Sequence, residues 1–154
     1  MAIDRVRAAL QAAGLAVDIM EFPAGTRTAE DAARALGTSV AQIVKSLVFL
    51  ADGRPVLVLV SGANRVDLGK LAAAAGARVI GKADAAVVRE ATGFAIGGVP
   101  PVGHSRVLPT FLDRDLLAHD VVYAAAGTPR AVFPIAPRAL QEVIGAAEID
   151  LREE

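Results

Sequence analysis

The sequence contains no cysteine. That excludes disulfides, thiolate metal sites and cysteine nucleophiles together, and it fits a reducing compartment. Tryptophan is also absent, and aromatic residues are only 4% of the chain. A core must therefore be packed from small aliphatic residues, and the 54% hydrophobic content supplies them. Charge of one sign is missing too, since 16 Lys and Arg stand against 17 Asp and Glu. A net charge of −1 makes the chain no general magnet for nucleic acid, so any RNA contact must be local. No apolar run reaches the roughly 18 residues of a membrane span. The longest buried-looking run, Pro55 to Val60, has strand length. The N-terminal stretch carries an early Asp4 and lacks the apolar core of a signal peptide. These absences lead to the expectation of a cytoplasmic protein with no membrane partner. At 154 residues the chain suits one domain with one substantial core.

What is present reads as alternating helices and strands. Ile3, Val6 and Leu10 share a helical face that Gly14 closes. Val17 to Phe22 reads as a strand and Pro23 to Arg27 as a turn. Thr28 and Asp31 open a helix that ends at Gly37, with Ala29, Ala32, Ala33 and Leu36 facing inward. Ser39 and Gln42 repeat the capping pattern for one more turn. Lys45 to Ala51 and Pro55 to Ser61 are strands joined by a hairpin signal, Asp52-Gly53. The second is apolar on both faces and belongs in the middle of a sheet. An Ala-rich helix ends near Gly76, Ala77 to Ile80 is a strand, and Asp84 caps a helix that stops at Gly93. Gly93 to Gly103 (GFAIGGVPPVG) is a loop with a defined path. Val107 to Leu112, Val121 to Ala125 and Ala131 to Ile135 are strands, and Pro137 starts a last helix. No repeat or domain boundary interrupts the chain. The irregular mixture predicts an α/β single domain with a mixed sheet, not a doubly wound one.

Several chemical signatures fail on inspection. Gly76 to Lys82 spells G-x-x-x-x-G-K, but Ala83 replaces the hydroxyl residue, and the middle reads as a strand. His104 and His119 have no companions at metal-ligand spacing. They read as loop or surface residues, with a minor substrate role left open for His104. Ser46 and Ser61 lack a G-x-S-x-G elbow and an evident base. Glu30–Asp31 and Asp113–Asp115 read as solvated capping or turn residues.

Two features remain. The chain has three lysines among its 16 basic residues, and one, Lys45, opens an apolar strand at the core edge. Partial burial there would sharpen its field. A lysine snorkelling from a strand end fits the same pattern, and local sequence favours that reading. The second feature is Gly97-Gly98-Val99-Pro100-Pro101. Its glycines allow unusual dihedrals and its prolines fix the path, so backbone N–H groups could be aimed into a pocket. A rigid structural turn is an equal reading.

Four blocks together resemble the YbaK/prolyl-tRNA synthetase-associated editing domain family. They are Thr28 to Phe49, Val56 to Leu71, Ala91 to His104 (ATGFAIGGVPPVGH) and Ala124 to Pro137 (AAAGTPRAVFPIAP). The similarity runs in order over nearly the whole chain. It implies a curved, barrel-like mixed sheet flanked by helices, and a freestanding hydrolase that deacylates mischarged aminoacyl-tRNA without a metal or cofactor. The implied partners are the 3′ end of aminoacyl-tRNA, typically that for proline, and, as a candidate, prolyl-tRNA synthetase. The family's essential lysine matches Lys45, and its Gly/Pro loop matches Gly97 and Gly98, which become candidate oxyanion donors. Thr28, Ser46, Ser61, Asn64, Val99, Pro100, Pro101 and Gly127 are the implied substrate-binding set. In the family's cysteine-specific branch a serine precedes the late glycine. Here Tyr123 to Gly127 has no hydroxyl after the tyrosine, so the reaction class carries over better than the amino acid removed. A binding module of the same fold without activity is the competing reading.

Overall fold

The computed structural model describes residues 2–23 and 28–154. Its eight strands form one mixed sheet in the order β1-β7-β6-β2-β3-β5-β8, with β4 also paired to β2. In chain order the elements are α1 (Ala2–Ala12), β1 (Met20–Glu21), α2 (Ala29–Leu36), β2 (Ile43–Ala51), β3 (Arg54–Ser61), α3 (Leu68–Ala75), β4 (Ile80–Lys82), α4 (Ala85–Thr92), β5 (Thr110–Asp113), β6 (Val122–Ala125), β7 (Ala131–Ile135), α5 (Pro137–Ile144) and β8 (Ala147–Ile149). Among the described residues no helix is long and apolar enough to cross a membrane.

The helices begin and end where side chains can satisfy their orphan backbone groups. Thr28 Oγ1 accepts from Asp31 N–H, Asp67 from Lys70 N–H and Asp84 from Val87 N–H. Gly37, Gly76 and Gly93 close α2, α3 and α4 in the left-handed region. Between α2 and β2 a 3-10 turn is held by Gln42, whose Oε1 accepts from Ser39 N–H and whose Nε2 donates to Val121 C=O.

β2 and β3 pair antiparallel over their full length and form the centre. Strand alternation then splits the core. Val44, Val48, Leu57 and Leu59 face a large cluster with Val6 and Leu10 of α1, Val88 of α4 and Leu140 of α5. Val56, Val58 and Ala51 face the opposite side, packed with Leu71 of α3 and Leu151. A third cluster joins Ala32 and Ala33 of α2 to Ile43.

Several elements differ from their sequence readings, each for a local reason. The Val17 to Phe22 strand shrinks to Met20–Glu21, paired with β7, while Val17 and Ile19 pack against the main core. Of the Pro23 to Arg27 turn, residues 24–27 lie outside the described residues. β4 starts at Ile80 and not at Ala77, because the Asp52 carboxylate takes the N–H groups of Arg78 and Val79. β5 starts at Thr110 and runs to Asp113, since Pro109 has no N–H for a ladder and Val107 is fully exposed. β2 begins two residues before Lys45. The 3-10 turn Arg114–Ala118 and strand β8 had no sequence reading.

Candidate active site

The second edge of β2 is shared between two short strands. β6 pairs with Ile43 and Val44, and β4 with Phe49, Leu50 and Ala51. Among the described residues, 45–48 have no strand partner on that side. Ile43 C=O accepts from Gly62 N–H at 2.7 Å, so the odd residues of β2 direct their backbone groups to β3. The backbone groups of Ser46 and Val48 therefore face the gap. A cavity of about 550 Å³ opens there. Lys45, Ser46 and Gly62 line it, with Thr28 at the cap of α2, Ala29, Glu30 and Ala32 from α2, Tyr123 to Ala125 from β6, and Gly97 and Val99 from the Gly/Pro loop.

Lys45 is half-buried, and its Nζ donates to Asn64 C=O at 2.7 Å. Burial is the main cause that holds its pKa below the ordinary lysine value, and Arg65 adds to it. Glu30 and Asp113 oppose that shift. A lysine so placed keeps N–H donors for a ligand while its field is only partly screened by water. Ser46 lies beside it, and its Oγ is buried without a hydrogen-bond partner among the described residues. A polar atom left in that state is a cost unless a ligand or water meets it.

The remaining sequence candidates separate into two groups. Thr28, Val99 and Gly97 line the cavity, although the Thr28 hydroxyl also caps α2. Ser61 does not line it. Its Oγ donates to Ala41 C=O at 2.8 Å and accepts from Ala63 N–H. Asn64 is engaged behind Lys45, its Nδ2 donating to Asp113 and Asp115 at 2.8 Å each. Gly98 is buried against the Thr128 backbone, where an added Cβ would sit 2.7 Å from Thr128 Cα. Its N–H donates to Ala95 C=O at 3.2 Å, whereas Gly97 lines the cavity. Pro100 and Pro101 are buried and shape the loop without lining the cavity. Gly127 packs on the start of α1 at φ +102°.

Other participants had weak signals or none. Arg5 of α1 donates to Gly93 C=O and to Gly103 C=O, both at 3.0 Å, and so closes the two ends of the loop. Its guanidinium lies 4.4 Å from the Phe94 ring centroid. His104 Nε2–H donates to Pro100 C=O, and burial lowers its pKa below 6.5. It does not line the cavity. Asp113 and Asp115 do cap a turn, through Asp115 N–H to Asp113 Oδ1 at 3.0 Å. Asp113 is nevertheless 0% exposed, which corrects the reading of it as solvated. It pairs with Ile149 of β8 and accepts from Ser61 N–H of β3, and the local sequence carries no sign of either. Gly62 was also unforeseen. A Cβ there would come within 2.6 Å of Val40 C=O and 2.8 Å of Ala29 Cβ.

A partly desolvated cation, a buried hydroxyl without a partner among the described residues and a glycine of the Gly/Pro loop thus line one cavity. On this fold they point to the class of editing domains. The profile of the aminoacyl-tRNA editing domain matches residues 23–143, and the chain belongs to that family. It is similar over 99% of its length to a crystal structure described as a candidate trans-editing enzyme for prolyl tRNA synthetase, with 98% of that chain covered, 50% identity and a TM-score of 0.94. A candidate Cys-tRNA(Pro)/Cys-tRNA(Cys) deacylase from Enterococcus faecalis is 29% identical over 82% of this chain and 79% of its own length. A proline–tRNA ligase from Bacillus licheniformis is 40% identical over 70% of this chain, a match to 18% of the ligase.

Proposed function

We propose that this protein is a trans-editing deacylase, which hydrolyses the ester between a small wrong amino acid and the 3′ end of tRNA, most simply tRNA for proline. The observation that carries this reading is Lys45 on the unpaired stretch of β2, in the wall of the same cavity as Gly97. The likeness to part of proline–tRNA ligases supports the choice of tRNA.

An aminoacyl ester is already activated, so positioning and charge stabilisation suffice. Lys45 holds the terminal ribose or phosphate and fixes the ester in the cavity. The Gly97 N–H, with the Ser46 hydroxyl beside Lys45, serves the oxyanion as it develops. Water is the nucleophile, activated by the neighbouring ribose hydroxyl of the substrate. The alanines of α2 and β6 leave a small apolar space, and a pocket of this kind selects by size.

A panel of mischarged tRNAs beside free aminoacyl esters tests the reading. Turnover of one or a few mischarged tRNAs is expected. Turnover of free esters alone would mark a small-molecule hydrolase, and turnover of neither a binding module.

A further inference from the structure

Lys45 does not stand alone on its strand. Its ammonium is anchored by a backbone carbonyl, that of Asn64, at 2.7 Å. Asn64 is half-buried just after β3, where its N–H donates to Ser61 C=O at 2.9 Å. The Asn64 side chain adds a second tie, spending both Nδ2 hydrogens on carboxylates, Asp113 Oδ2 and Asp115 Oδ2, each at 2.8 Å. Asp113 is fully buried at the end of β5. Its Oδ2 also accepts from Ser61 N–H at 3.1 Å, and its Oδ1 from Asp115 N–H. Arg152 meets Asp115 at 3.5 Å from the other side, and Glu153 N–H donates to Arg65 C=O at 2.9 Å.

We infer that Asp113 and Asn64 are positioning residues for the deacylase reaction, a buried carboxylate and an amide that fix the carbonyl on which Lys45 rests. The arrangement resembles the outer shell of a metal site, where a ligand's partner sets its direction. Here the object aimed is an ammonium. The charged groups acting on Lys45 are Glu30 from α2, Arg65 from the bend after β3 and Asp113 from β5. Glu30 raises the Lys45 pKa more than Asp113 does, but of the two carboxylates only Asp113 is buried and bonded to the Asn64 side chain whose carbonyl meets Lys45.

This inference rests on the proposed function for its catalytic meaning, but its test does not. The protein has three lysines, Lys45, Lys70 and Lys82, so lysine labelled at 13Cε gives three resolvable NMR signals. In Asp113→Asn, which removes a carboxylate that raises it, the Lys45 signal is expected to titrate at lower pH than in the parent. In Asn64→Ala, which keeps the carbonyl and removes only its side-chain tie, the relaxation of Lys45 Cε is expected to approach that of exposed Lys82. Both variants should also lose deacylation at saturating substrate by about ten-fold or more, the effect of misplacing a reacting partner. Should Asp113→Asn fail to fold, the Asn64→Ala relaxation decides alone. Unchanged titration and relaxation of Lys45 in the folded variants would overturn the proposal. Lys45 signals that shift in the variants, when the parent itself deacylates no tRNA, would uphold the anchoring and sink the deacylase reading instead.

Discussion

Lys45 and Gly97 line one cavity, yet their supports differ in kind. Lys45 stands on the central strand pair, and behind it lies a buried carboxylate with three hydrogen-bond donors. Gly97 stands on a loop with no strand of its own. That loop is fixed by close backbone approach at Gly98 and by a cation, Arg5, that clasps its two ends from α1. The first support is polar and interior, the second steric and peripheral. The difference teaches where each half is vulnerable. The lysine side should respond to lost charge, and the loop side to added volume or a lost clamp.

The largest effect on the loop side is expected from Gly98→Ala. The new methyl would meet Thr128 Cα at 2.7 Å and its carbonyl carbon at 2.8 Å, both backbone atoms that cannot swing aside. Overpacking of this kind costs about 1–3 kcal/mol. A lowered denaturation midpoint with a larger loss of deacylation is the expected pattern. Unchanged values for both would show that the loop is not held by this contact. Arg5→Ala comes next. It removes two hydrogen bonds to loop carbonyls at an exposed position, a loss of roughly 1 kcal/mol. Activity should fall, while the Lys45 titration stays where it was. A moved Lys45 titration would erase the distinction between the two supports.

The smallest effect is the pH response of His104. Burial holds its pKa below 6.5 in the folded protein. The unfolded chain then binds more protons within the window from the folded value up to 6.5, so stability is full above 6.5 and declines as pH falls through the folded value. Denaturation midpoints on the two sides of pH 6.5 should differ in the parent, with the lower one at acid pH. The difference should shrink in His104→Asn.

Much of the scaffold was legible because its signals are local. Thr28, Asp84, Gly37 and Gly93 mark helix ends by their own chemistry. Asp52-Gly53 marks its hairpin, with both residues at positive φ. The apolar run of β3 announced a central strand. What was illegible depends on partners distant in sequence. β8 is three residues whose ladder lies on β5, far up the chain. Asp113 looks like any turn aspartate until β8 pairs with it and Ser61 of β3 donates to it. Arg5 looks like a surface arginine of α1, and its two acceptors lie about ninety residues away. The gap in β2 follows from where β4 and β6 stop, which no pattern within β2 records. Lys45 itself was, by local pattern, only an odd lysine at a strand edge, and the chain-long resemblance is what singled it out.

The central claim is that Lys45 is the positioning cation of a deacylase. The direct measurement is the initial rate of deacylation of mischarged proline tRNA by Lys45→Ala, beside the parent protein, with folding checked by circular dichroism. Loss of a correctly placed partner of this kind costs on the order of a hundred-fold, and that loss in a folded variant is the expected result. A folded Lys45→Ala protein that deacylates at the parent rate would contradict the account.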